Sequence, residues 1–164
     1  MAKRKIGVIT FPVFKSANQP LSNLMDIISV CSEEIFLITG NDGYTLFKED
    51  PRFHVSGTEH TQGASSVSRI FRYIWTQIRI SCLVIQRIPN VDKWIFFFGG
   101  NGLLLPLLTT KVFHKHTALL LADAGNGIPQ DPLSRYLSPL SQLTYDLADN
   151  LILYSPGLLT KWNL

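Results

Sequence analysis

Apolar residues in this chain fall into short unbroken runs separated by stretches of helical spacing. Ile6 to Phe11 (IGVITF) is the first run and Leu151 to Tyr154 the last, with Ile35 to Thr39, Trp94 to Phe98 and Thr117 to Ala122 between them and a weaker run over Phe53 to Ser56. A continuous run, as opposed to an alternating one, suits a parallel strand covered on both faces by helices. Pro20 and Leu21 open a helical stretch to about Cys31, with Leu24, Ile27 and Ile28 at helical spacing. Gly40, Asn41, Asp42 and Gly43 read as a turn that stops the second strand. The strongest helix signal runs from Val67 to Ile88 and ends at Pro89. At ~100° per residue, Val67, Phe71, Ile74, Ile78 and Ile85 share one face, and Arg69, Arg72, Arg79 and Arg87 cluster on the far side. Further helices are expected from about Leu103 to His114 and from about Leu133 to Leu147. Strand and helix alternate throughout. The pattern predicts an α/β fold: a Rossmann-like, doubly wound, mostly parallel sheet of about six strands with helices on both faces.

Length adds that 164 residues suit a single domain, 1–164, with no repeat or linker to mark an internal boundary. The two cysteines, Cys31 and Cys82, lie in apolar helical patterns without metal or redox spacing, so reduced, buried thiols in a cytoplasmic protein are expected. A net charge of +3 is too mild to argue for nucleic acid. The apolar run behind Lys3, Arg4 and Lys5 is only a strand long, which does not fit a signal peptide. The longest apolar stretch, Trp94 to Leu108, is broken by glycines and falls short of the ~20 residues that a spanning helix needs. His114 and His116 have no third ligand in view and read as a basic helix end, so neither a metal nor a cofactor is expected.

Ligands of doubly wound sheets bind outside the carboxyl ends of the strands. Four segments fall there: Pro12 to Asn18, Gly99 to Gly102, Asp123 to Gly127, and Ser155 to Pro156. Gly99, Gly100, Asn101 and Gly102 could turn their amides towards a hydroxyl or phosphate at the following helix; a tight turn needing positive φ explains them equally well. Asp123 could accept a proton as a general base, or cap a turn. Helix 67–88 has a basic side and no acidic residue from His60 to Val91, which fits an anionic membrane surface or an acidic partner. An ordinary outer helix with its basic face in water is the plainer alternative.

Three motifs in this order, KIGVITF at the start, the strand and glycine turn from Asp92 to Pro106, and DNLILYSPGLLTKW from Asp149 to Trp162, resemble the amino-terminal domain of GT-B glycosyltransferases of the family 4-like kind. The resemblance covers nearly the whole chain. It implies an acceptor-side domain of an enzyme that transfers a sugar from a nucleotide sugar, with Gly99 to Gly102, Lys15 and Ser155 as substrate-binding positions and Asp123 as the candidate catalytic group. It also implies a separate donor-binding domain as partner, absent from this chain, so that the chain alone is expected to be inactive. Members that act on lipid-linked acceptors often dock this domain on anionic lipid, which would give Arg69, Arg72 and Arg79 a peripheral membrane role; the acceptor itself is not specified. One departure concerns phosphate. The family often carries glycines after the first strand, whereas here none occurs between Gly7 and Gly40, and Pro12 and Pro20 bracket the loop. Lys15 would have to supply charge where amides do not. The competing expectation is a non-catalytic interaction module that retains the fold.

Overall fold

The computed structural model describes residues 4–61, 63–97, 103–121, 140 and 143–153. Six strands form one parallel sheet: β1 (Arg4–Thr10), β2 (Ser32–Gly40), β3 (Phe53–Thr58), β4 (Lys93–Phe97), β5 (His116–Leu121) and β6 (Asn150–Leu153). Their order across the sheet is β3-β2-β1-β4-β5-β6. The chain thus winds outward from β1 in one direction, crosses back, and winds outward in the other, the doubly wound arrangement expected from the sequence.

Alternation along the strands divides the core into two layers. Val8, Ile35, Leu37, Phe97 and Leu120 face α1 (Asn18–Cys31) and α2 (Asp42–Phe47), where Leu21, Met25, Ile28 and Phe47 cover them. Ile9, Phe36, Ile38, Trp94, Phe96 and Leu119 face α3 (Ser66–Arg87) and α4 (Leu104–Val112), which contribute Ile80, Val84 and Leu107. Gly7 sits opposite Trp94 in register, and a Cβ there would overlap the buried indole. The glycine leaves the space that the largest core side chain fills.

α2 is an element the turn reading missed. Gly43 is buried against Val13 and Thr39, and a helical turn carries the chain on to Phe47, which packs against Phe53. The bounds of α1, α3 and α4 lie close to expectation, with α3 at Ser66–Arg87 against the expected 67–88, while most of the helix expected from about Leu133 to Leu147 lies outside the described residues. Its N-terminus is closed by a reciprocal pair, in which Ser65 Oγ accepts from the Ser68 amide and Ser68 Oγ accepts from the Ser65 amide.

The orientation of α3 is the reverse of an ordinary amphipathic helix. Its inward face carries Thr76, Gln77, Ile80, Ser81 and Val84, while Val67 (77% exposed), Phe71 (73%), Ile74 and Trp75 (56%) look outward with Ile70, Ile78 and Ile85. The inward polar groups have specific tasks: Gln77 Oε1 accepts the Leu105 amide at 2.8 Å and so caps the first turn of α4. Leu105, Leu108 and Val112 extend the exposed apolar surface onto α4, which packs beside α3. Cys31 and Cys82 are free and exposed, which corrects the expectation of buried thiols. Cys31 ends α1, and Cys82 lies at the outward side of α3.

Asp149, in the last of the three motifs, ties the far end of the sheet together. Its carboxylate accepts from the Thr117 amide at 2.8 Å, the Thr117 hydroxyl at 2.9 Å and Lys111 Nζ at 2.5 Å. Partial burial pushes the carboxyl up, but Lys111 and the two Thr117 donors outweigh it and hold the pKa down at about 2. A depressed folded-state pKa stabilises the fold above the ordinary carboxylate value of 3.8, and that stabilisation is lost as pH falls towards 2. Solvent screening reduces the contribution to about 1–1.5 kcal/mol. Urea midpoints should therefore fall between about pH 4 and pH 2 in the parent, and Asp149→Asn should flatten that fall; an unchanged slope would remove Asp149 from the account.

Candidate functional site

The carboxyl ends of β1, β2 and β3 meet the first half of α3, and the side chains gathered there form the best-defined polar cluster among the described residues. Thr10 and Thr39 share a buried hydroxyl hydrogen bond of 2.8 Å beneath it. Beyond them Asn41 adopts a positive φ of 52°, a conformation that costs energy for a non-glycine residue. Its amide is locked onto the backbone of His60: Nδ2 donates to the His60 carbonyl at 3.1 Å and Oδ1 accepts the His60 N–H at 3.0 Å. Gly40 permits the approach, since a Cβ there would collide with the Thr58 carbonyl.

The His60 ring is fixed in turn. Its Nδ1 lies 2.8 Å from Thr76 Oγ1, and the Phe11 ring meets it edge-on with centroids 4.9 Å apart. The Thr76 hydroxyl has one proton and donates it to the Arg72 carbonyl at 2.8 Å. Thr76 Oγ1 must therefore accept from His60 Nδ1–H, which leaves Nε2 of the neutral ring as a proton acceptor. Burial, and then the Arg72 charge, push the imidazole below its ordinary pKa, so the neutral form is the working one at neutral pH.

Two adjoining cavities open at this cluster. One, of about 590 Å³, is lined by Asn41, Tyr44, Thr58, Glu59, Thr61 and Arg79 among others. The second, of about 260 Å³, shares Glu59, Thr61 and Arg79 with the first and adds His60, Arg72, Trp75 and Thr76. Arg72 is held by the carbonyl and hydroxyl of Thr61. Trp75 belongs both to the cavity wall and to the exposed apolar stripe of α3, so the two features are continuous.

The residues singled out from the sequence divide between this site and segments elsewhere. Arg72 and Arg79 line the cavities, whereas Arg69 Nε donates to the Gly63 carbonyl at 3.2 Å and Arg87 lies over the Phe36 ring. The arginines thus turn towards the β3 edge and the segment after it. Lys15 sits exposed in a 3₁₀ turn after β1, on the carboxyl side of the sheet as the topology requires. Gly99, Gly100, Asn101, Gly102, Asp123 and Ser155 lie outside the described residues. His114, exposed, follows the end of α4 with φ 54°, and the described residues contain no cluster able to hold a metal. In the sequence His60 has no nameable partner, Asn41 reads only as part of a turn, and Glu59 does not stand out. The available signal was their place just after the third strand, which the strand reading closed at Ser56, two residues short of its observed end at Thr58.

A doubly wound six-stranded parallel sheet with a polar cavity at its carboxyl edge has the fold of one domain of GT-B proteins, consistent with the amino-terminal one. Solved structures of that fold superpose on nearly the whole chain. MurG from Acinetobacter baumannii matches with a TM-score of 0.58 at 10% identity, covering 94% of this chain and 42% of its own. The UDP-GlcNAc 2-epimerase from Methanocaldococcus jannaschii matches with 0.60 at 14% identity, covering 98% of this chain and 43% of its own. Another UDP-N-acetylglucosamine 2-epimerase matches with 0.63 at 12% identity, covering 100% and 44% respectively. The chain therefore spans less than half the length of these structures. No protein-family profile matches the chain, and no curated protein matches it.

Proposed function

We propose that this chain is the acceptor-side domain of a glycosyltransferase that takes its sugar from a nucleotide sugar bound by a second domain, on the same or a separate chain. The observation that carries the reading is His60: a neutral imidazole, fixed through Nδ1 so that Nε2 is left as the acceptor, at the carboxyl edge of the sheet in the wall of the smaller cavity, which adjoins one of saccharide size. Sugar transfer needs a base to take the acceptor hydroxyl proton as the oxygen attacks the anomeric carbon and the nucleoside diphosphate departs. We assign that role to His60; Asp123, the candidate from the sequence, lies outside the described residues. The half-length match to the GT-B structures supports a second, donor-binding domain beyond the part matched here. Lys15, and from the sequence Gly99 to Gly102 and Ser155, remain proposed substrate contacts.

The same reading places the domain on an anionic membrane surface. Support comes from the outward stripe of α3, from the arginines beside it, and from the absence of acidic residues between His60 and Val91. No described helix is long and apolar enough to cross a membrane. Phe71→Glu with Ile74→Glu should abolish sedimentation with phosphatidylglycerol vesicles. Charge reversal of Arg69, Arg72 and Arg79 should weaken it by about 1 kcal/mol per residue. Vesicle binding that survives the Phe71 and Ile74 changes would sink the membrane assignment.

The transferase reading is tested by adding a donor-type GT-B domain and a radiolabelled nucleotide sugar to the chain with extracted polar and lipid acceptors. Transfer is expected only when both domains are present. Turnover by this chain alone, or none with any donor domain, would overturn it.

A further inference from the structure

We propose that the cavity between α2, the carboxyl end of β3 and α3 binds the phosphate ester of a polyol, with Arg79 taking the phosphate and Glu59 the hydroxyls. This names the chemical class of the acceptor and so rests on the acceptor-side reading.

Arg79 and Glu59 line the same two cavities, yet they form no ion pair with each other, and neither has a hydrogen-bond or ion-pair partner among the described residues. Opposite charges facing one space without pairing are suited to a ligand that offers something to each. A guanidinium binds a phosphate through paired N–H donors, and a carboxylate accepts hydroxyl protons. Arg72 adds a second positive charge to the adjoining cavity and is pinned there by Thr61. His60 is neutral, so Arg72, Arg79 and Glu59 leave the lining net positive.

The remaining wall suits the polyol part. Tyr44 stands at the cavity with its ring over Gly57, where a Cβ would strike it, and offers an apolar face to C–H groups. Thr58, only 2% exposed, lines the cavity, and its hydroxyl is buried without a partner among the described residues. Asn41, held at positive φ by two bonds to His60, makes the rim rigid. A volume of about 590 Å³ accommodates a monosaccharide phosphate. An inorganic anion alone would leave Glu59 facing it unfavourably, and a neutral sugar alone would leave Arg79 unused.

The test is calorimetric titration of the chain with glucose 6-phosphate, glucose and inorganic phosphate, alongside vesicles of phosphatidylinositol and of phosphatidylglycerol. Either glucose 6-phosphate binds at least roughly tenfold tighter than both glucose and phosphate, or phosphatidylinositol vesicles bind at least roughly tenfold tighter than phosphatidylglycerol ones. The first result assigns a soluble ester and the second a lipid headgroup, and both support the proposal. Arg79→Gln should weaken the preferred ligand by roughly ten- to a hundredfold, the size of a lost charge-assisted hydrogen bond. Because Arg79 has no partner to lose among the described residues, the variant's thermal midpoint should stay that of the parent. Glu59→Gln should weaken glucose 6-phosphate or phosphatidylinositol but not inorganic phosphate. Equal affinity for phosphate and its polyol esters, or indifference to Arg79→Gln, would overturn the proposal. Binding without transfer in the two-domain assay would leave this site standing and remove the acceptor reading; transfer without such binding would do the reverse.

Discussion

His60→Ala is expected to lower sugar transfer in the two-domain assay by roughly 10²- to 10⁴-fold, the usual contribution of a positioned general base. The variant is a clean one. Asn41 bonds to the backbone N–H and carbonyl of residue 60, which alanine retains, so the wall of the site should hold. Among the described residues the losses are the Nδ1 bond to Thr76 and the edge contact with Phe11, at a stability cost of about 1 kcal/mol. The pH profile separates chemistry from support. With the folded-state pKa below the ordinary histidine value of 6.5, the neutral base persists at neutral pH, and transfer should be flat there and fall on acidification below that value. Stability should follow the same direction. An imidazole harder to protonate folded than unfolded favours the unfolded chain as pH drops through 6.5, and His60→Gln should reduce that loss. If transfer survives His60→Ala but disappears in Asp123→Ala, the base is Asp123 and His60 only braces α3.

Trp94→Ala is expected to cost about 3–5 kcal/mol, a large share of a marginal domain's total stability of about 5–15 kcal/mol. Trp94 is fully buried in the layer beneath α3 and α4, among Phe96, Ile80, Val84, Leu103 and Leu107. Its ring lies over Gly7, so the space left by truncation is bounded by backbone on one side and cannot close from there. The indole N–H is buried without a partner, a burden that the packing must already outweigh. Trp94→Phe removes that burden and keeps most of the ring, so it should cost less than half as much. Urea unfolding of the three proteins gives both numbers; a Phe variant as unstable as the Ala variant would show that the indole nitrogen is bonded and not merely tolerated.

Much of the architecture was legible because it depends on local pattern. Ile6–Phe11 and Ile35–Thr39 read as doubly covered strands for the same reason that Val8 and Ile9, or Leu37 and Ile38, pack into opposite layers: adjacent residues of a strand point to opposite faces, and here both faces are dry. The length of α3 followed from spacing and from Pro89 at its end, whereas its Ser65–Ser68 cap emerged only in the structure. α2 was not legible, because Gly40 to Gly43 carries turn chemistry and a helix of 6 residues is too short to show a period; Phe47 at its end packs on Phe53 of the next strand.

The candidate site divides along the same line. Sequence alone determined that the strands run parallel, since alternating strand and helix force parallel connections, and so pointed to their carboxyl ends as the place for a site; it also picked out Arg72 and Arg79 as charges without acidic neighbours. Only the tertiary structure decided which way α3 faces. Periodicity shows that a helix has an apolar side, but the side that turns inward depends on what the fold must satisfy there, and here that is the α4 amide at Gln77 and the imidazole at Thr76. His60 became visible for the same reason. Its partners Asn41 and Thr76 stand 19 and 16 residues away in the chain, and its tautomer is set by a hydrogen bond that exists only once α3 has docked against the edge of the sheet.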